Sequence, residues 1–171
     1  GTDALTAVSL AFPLQNTILS VGVGMGIGIG SVISMSLGAE NRKKANHAAS
    51  LGVALVIFHC LLFVLAGIFI TKPFLQMFTN DPNILKWACD YTYIVMCISF
   101  GQLLQMCLEK IFQGIGKMKT TMYLMASGCI INIVLDPILI FGWFGLPAMG
   151  VTGAAVATVI GQIGALILYV I

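Results

Sequence analysis

Of the three carboxylates inside the long apolar runs of this chain, Asp136 and Glu109 are the two with which any chemistry it performs has to begin. Asp136 lies in NIVLDPILIFG, four residues after Asn132 and directly before Pro137. A spacing of four places Asn132 and Asp136 on one helix face, one turn apart. Pro137 has no N–H to donate and crowds the carbonyl of Ile133, which loosens the turn where the acid sits. Glu109 is the second carboxylate. With Gln102, Gln105 and Gln113, at spacings of three, four and four, it draws a polar stripe down one helix face. A charged side chain at mid-bilayer costs about 2.5–3.5 kcal/mol even on insertion scales, so such residues line a cavity, bind a cation or carry a proton.

Blander roles compete for the same residues. Glu109 has Lys110 beside it and is seven residues from Gly116, so pairing or snorkelling toward that loop is the alternative. Thr158 and Gln162, four apart, serve equally as helix–helix glue or as cavity lining. Asn16 follows Pro13 and Gln15 near one end of the first apolar run and is a candidate for cavity lining beside a kink. His59 stands alone in an apolar run and reads as an interhelical hydrogen bond. The five cysteines, none in a C-x-x-C spacing, read as buried apolar thiols without a disulfide framework or zinc site. Glycines 22, 24, 26, 28 and 30 do not form a nucleotide loop, because the G-x-G-x-x-G register fails and no strand precedes them. Gly22, Gly26 and Gly30 share a face and invite close helix packing, or bending during function. No hydrolytic triad, paired-carboxylate site or His/Cys cluster is present, so the chain is not read as an enzyme.

The elements that must hold these residues are set by composition. Of 171 residues, 8% are charged and 59% are hydrophobic, against roughly 25% charged in soluble domains. That leaves too few charges to coat a soluble globule. The net charge of +2 lacks the basic stripe of a nucleic-acid binder. The expected fold is an all-α membrane protein, a polytopic helical bundle. It has five spans, about 5–37, 48–70, 85–112, 121–144 and 150–171, since a helix needs about 20 residues to cross the bilayer. The runs are too long for barrel strands and do not alternate. GAENRKKANHA, QGIGKMKTT and GLPAMG read as tight turns, and TKPFLQMFTNDPN as the longest loop. Arg42, Lys43, Lys44, Lys117 and Lys119 fall on one side, against Lys72 and Lys86 on the other, which places the first set in the cytoplasm. Gly1 would then start outside, after an odd number of earlier spans. A piece of a longer, multi-pass plasma-membrane protein is expected.

GTDALTAVSLAFPLQN, GVGMGIGIGSVISMSLGAENRKKANHAA, GIGKMKTTMYLM, NIVLDPILIFG and GVTGAAVATVIGQ occur in this order over nearly the whole chain. Together they resemble the MATE (multidrug and toxic compound extrusion) transporters. The resemblance implies helices two to six of the amino-terminal lobe, part of a six-helix lobe in a twelve-helix transporter. It implies export of organic, often cationic, small molecules in exchange for protons or sodium ions, with no cofactor beyond that ion. The partners it implies are the lipid bilayer, a first helix and a second lobe of the same polypeptide, and no nucleic acid. The family's amino-lobe cation site maps onto Asn132 and Asp136, and its sixth-helix threonine onto Thr158. The family's fourth-helix asparagine position holds Glu109 here, a departure that adds a carboxylate. If Glu109 and Asp136 meet, they cannot both stay ionised without a cation. Sodium at Asp136, Asn132 and Glu109, with the Thr158 hydroxyl as a neutral ligand, would suit a hard cation. A lipid-linked sugar flippase of the same wider superfamily would want basic residues mid-span, and none is apparent. A non-transporting scaffold would tolerate loss of the Asp136 charge.

The charge bias is directly testable. In the full-length protein in intact cells, an impermeant thiol reagent should modify Asp81→Cys and spare Lys43→Cys. The reverse pattern would invert the topology.

Overall fold

The computed structural model describes residues 2–145 and 147–170. Gly1, Leu146 and Ile171, the last being the expected end of the fifth span, lie outside the described residues. The order is α1 (Thr2–Gly38), α2 (Arg42–Gln76), α3 (Pro82–Cys97), α4 (Ser99–Gly114), α5 (Met118–Phe141), a 3-10 turn (Trp143–Gly145) and α6 (Val151–Val170). Among the described residues there is no strand, so the all-α expectation holds. In hydrocarbon a chain has no water to satisfy its amides, and a helix satisfies them within the segment. α1, with 37 residues, extends about 55 Å at 1.5 Å per residue, well beyond a hydrocarbon core of about 30 Å. α1, α2, α5 and α6 are each long and apolar enough to cross a membrane.

Two features differ from the sequence reading. The third apolar run is a bent pair: α3 and α4 meet at 45° across Ile98, and together they pass the length and hydropathy test for one further span. No proline marks this break, and the buried Ser99 hydroxyl beside it has no hydrogen-bond partner. The expected long loop after the second span is mostly helix, since α2 continues through Pro73 to Gln76. Its last turns are held by burial: Thr71 and Leu75 are fully enclosed, Leu75 with Ala7, Ala88 and Cys89, while the Thr71 hydroxyl donates to Met96 Sδ at 3.6 Å.

The turns follow local chemistry. Asn41 caps α2 by accepting from the Lys44 N–H at 3.0 Å. Asp81 caps α3 through the N–H groups of Asn83 (2.8 Å) and Ile84 (3.2 Å), with Pro82 starting the helix. α4 stops at Gly114, and Gly116 just beyond it has a φ of +85° that allows the Lys117 N–H to reach the Phe112 carbonyl at 2.9 Å.

α1 is the central helix, packed on α2, α3 and α4, and α6 packs on α3, α4 and α5. α5 leans chiefly on α6. Two of these contacts have almost no side chain between the backbones. Along α1, a methyl group at Gly22 would meet Met106 Sδ at 2.9 Å, and one at Gly30 would meet the Lys110 carbonyl at 3.1 Å. The intervening Gly24 and Gly28 have nothing within 4 Å. The shared face of Gly22, Gly26 and Gly30 is therefore a packing seam against α4. Between α5 and α6, methyl groups at Gly128 and Gly161 would each run into the other's carbonyl, at 3.3 and 3.1 Å. A methyl at Gly153 would lie 2.6 Å from the Leu139 carbonyl. Gly153, Ala157, Gly161 and Ala165, each four residues apart and each buried, form this second stripe. The opposite faces of α2 and α5 carry exposed Phe58, Leu62, Phe69, Ile130 and Phe141, the dress of a lipid-facing surface.

The two seams predict unequal glycine substitutions in the full-length protein. Gly153→Ala pushes a methyl into backbone that cannot rotate away and should cost about 1–3 kcal/mol. Gly28→Ala meets nothing and should be neutral or gain about 0.5–1 kcal/mol through helix propensity. Thermal unfolding in detergent should show the melting temperature falling for the first and not for the second.

Candidate functional site

The α5–α6 seam brings backbone to backbone at the level of Asn132. A methyl on Gly161 would meet Asn132 Cβ at 3.2 Å, so the absence of a side chain there lets the asparagine amide reach the neighbouring helix. In the amide orientation that satisfies both of its neighbours, Asn132 Nδ2 donates to Asp136 Oδ2 at 3.2 Å. Its Oδ1 accepts from the backbone N–H of Thr158 at 3.2 Å. Asn132 is therefore a bridge. It holds the Asp136 carboxylate within α5 and ties α5 to α6.

Thr158 contributes its backbone N–H to this bridge. Its hydroxyl is committed elsewhere as a donor, to the Ala154 carbonyl at 2.9 Å. Only the hydroxyl lone pairs remain to ligate a cation.

A groove of about 360 Å³ opens beside the bridge where α4, α5 and α6 converge. Gln105, Asn132, Thr158 and Gln162 supply its polar groups, and Met125 and Ile133 part of its apolar wall. Four of the sequence candidates are thus gathered at one opening, with Asp136 attached through Asn132. Three others lie elsewhere. Asn16 is exposed and is not among the groove's lining residues. Gln102 buries its Oε1 without a partner and does not line the groove. Glu109 is buried, paired with Lys110 Nζ at 3.1 Å and accepting from Gln113 Nε2 at 2.9 Å. No hydrogen bond among the described residues joins Glu109 to Asp136. The polar stripe of α4 is divided: Gln105 serves the groove, and Glu109 and Gln113 serve Lys110.

Other residues take positions that their sequence context did not give. Tyr91 of α3 donates to Gln15 Oε1 of α1 at 3.5 Å. An aromatic residue in an apolar run carries no signal of that role. The His59 Nδ1–H bonds the Leu55 carbonyl of its own helix at 2.8 Å, so its bond is intrahelical, not interhelical. Cys129 is exposed at the groove instead of buried, while Cys60, Cys89 and Cys107 are buried thiols. Gly161 was legible only as one small residue in a stripe at spacing four.

The fold and site define a polytopic helical membrane protein with a polar groove among its spans and a carboxylate hydrogen-bonded to one of its lining residues. The family model described as MatE matches residues 1–138. The chain is 32% identical to the probable multidrug resistance protein YoeA of Bacillus subtilis (strain 168) over 165 residues, covering 95% of this chain and 35% of that protein. It superposes on a multidrug resistance MATE family transporter of the MOP superfamily in an inward-facing conformation with TM-score 0.92 and 26% identity. That match covers 99% of this chain and 38% of the transporter. An outward-facing MATE family transporter gives TM-score 0.93 at 25% identity, covering 99% and 37%. The chain belongs to the MATE family, a family of multi-pass membrane transporters and not of enzymes. It spans about a third of the length of the curated relatives it matches. Asn132 and Asp136 fall inside the matched family region, and Thr158 beyond it.

The bridge makes different demands on its two sides. Thr158→Val keeps the backbone donor and should leave stability within about 0.5 kcal/mol. Asn132→Leu removes both bonds beside a carboxylate and should cost about 1–3 kcal/mol. Paired melting curves of the full-length variants would separate them, and an equal loss for both would refute the backbone-donor arrangement.

Proposed function

We infer that this segment is the cation-coupled part of a secondary-active multidrug exporter in the plasma membrane. The exporter exchanges organic, often cationic, small molecules for protons or sodium ions. The observation that carries this reading is the Asn132 bridge, which holds an intramembrane carboxylate at the edge of an open groove. A carboxylate at that depth needs a counter-charge, and the described residues give Asp136 an amide donor but no basic partner. A proton or a sodium ion supplies the charge. Asp136 would take the ion; the Asn132 amide, whose N–H now faces the carboxylate, would turn over to offer its oxygen, the Thr158 lone pairs would complete the neutral ligands, and Gln105 and Gln162 would line the approach.

The coupling follows from the same bonds. Neutralising Asp136 weakens its claim on the Asn132 amide, which also fastens α5 to α6. Pro137 sits in the next position and removes one rung of the α5 ladder. An ion that binds with different affinity to the two arrangements of this turn shifts their populations and can thereby eject substrate. The similarity of this segment to transporters in both inward- and outward-facing states supports a unit that keeps its overall fold through the cycle.

The test is transport by the full-length protein in proteoliposomes, with pH and sodium gradients imposed separately. Asp136→Asn should reduce gradient-driven export to the level of empty vesicles while leaving expression and melting behaviour intact. Unaltered export by that variant would remove the site from the mechanism. The gradient that drives the unmodified protein identifies the ion.

A further inference from the structure

Glu109 is a second carboxylate within the spans, and its environment is unlike that of Asp136. Its Oε1 accepts from Lys110 Nζ at 3.1 Å and from Gln113 Nε2 at 2.9 Å. Lys110 Nζ also donates to Gln113 Oε1 at 2.9 Å, which closes a triangle on one helix. The side chain of Glu109 is 9% exposed and that of Lys110 is 22% exposed. Among the described residues this is the one ion pair.

The α1 seam is shaped to receive the lysine. A methyl group on Gly26 would lie 2.6 Å from Lys110 Cγ, so the lysine stem occupies the space a side chain of α1 would otherwise fill. Lys110 and Gln113 also line a groove of about 500 Å³ between α1 and α4, together with Ser31 and Ser34. Tyr169 of α6 meets the ring of Phe112, three residues along α4 from Glu109, and α1 brings no titratable side chain after Asp3.

We propose that Lys110 is a tethered counter-cation that occupies the Glu109 carboxylate, so that this lobe binds its coupling cation at Asp136 alone. The inference rests on the cation-coupled reading above and deepens it. A free carboxylate at Glu109 would be a second place for a cation to bind. The ammonium supplies the charge that a sodium ion or proton would otherwise bring, and it cannot be released because it is covalently part of the helix. Lys110 is a positioning residue in this scheme. It fixes ion number without touching substrate.

Removing the ammonium leaves Glu109 buried with only the Gln113 amide, and an uncompensated buried carboxylate recruits a cation. The test measures radioactive sodium bound to the purified full-length protein at alkaline pH, where protons compete least. Lys110→Met should bind one sodium ion more than the unmodified protein. The double variant Glu109→Gln, Lys110→Met should lose that extra ion. Lys110→Arg should keep the unmodified count, and so should Glu109→Gln alone. An unchanged count in folded Lys110→Met would overturn the proposal, as would loss of sodium from Glu109→Gln alone. The double variant, which buries no lone charge, separates a folding defect from a binding result. Asp136→Asn, scored for transport, tests the coupling site independently, so either idea can fail without the other.

Discussion

The close approach of α5 to α6 through Gly128, Gly161 and Gly153 is the constraint on which the site depends. In lipid no hydrophobic effect drives helices together, so association comes from van der Waals contact and interhelical hydrogen bonds, and both require short distances. Any side chain at Gly161 would move α5 outward at the level of Asn132. The asparagine amide would then lose the Thr158 N–H, and Asp136 would lose the donor that the bridge orients. Tyr169 extends the same stripe, donating to the Thr121 carbonyl at 3.4 Å and meeting the Phe112 ring edge-on. Packing and site are one arrangement along this line.

The α1–α4 seam does comparable work for the second carboxylate. Gly22, Gly26 and Gly30 admit Met106 and Lys110 to the surface of α1, and the Ser34 hydroxyl donates to the Gly114 carbonyl at 3.0 Å near its end. A lysine stem laid across glycines keeps its ammonium beside Glu109. The molecule thus treats Glu109 and Asp136 differently: one is paired with a lysine within its own helix turn, and the other is held by a neutral amide beside an open groove.

The sequence by itself determined the solvent and the class. With 8% charged residues and apolar runs longer than 20 residues, the chain had to be helical and membrane-bound: only helices and closed barrels satisfy their amides in hydrocarbon, and these runs are too long and unalternating for barrel strands. It also determined that Asn132 and Asp136 share a face, since that follows from helical period alone. The proline after Asp136 and the glycine triplet of α1 were equally legible, being local in their effects. What the tertiary structure alone decided concerns partners on other helices. Helical period could not say that the Thr158 backbone, and not its hydroxyl, meets Asn132, or that Gln105 faces the groove while Glu109 turns to Lys110. Nor could it show the break at Ile98, which no proline announces, or the continuation of α2 through Pro73, which burial of Thr71 and Leu75 sustains. The physical reason is common to all of these. A residue's position on its own helix is fixed by bonds four residues long, whereas its neighbour on another helix depends on how closely two backbones can approach.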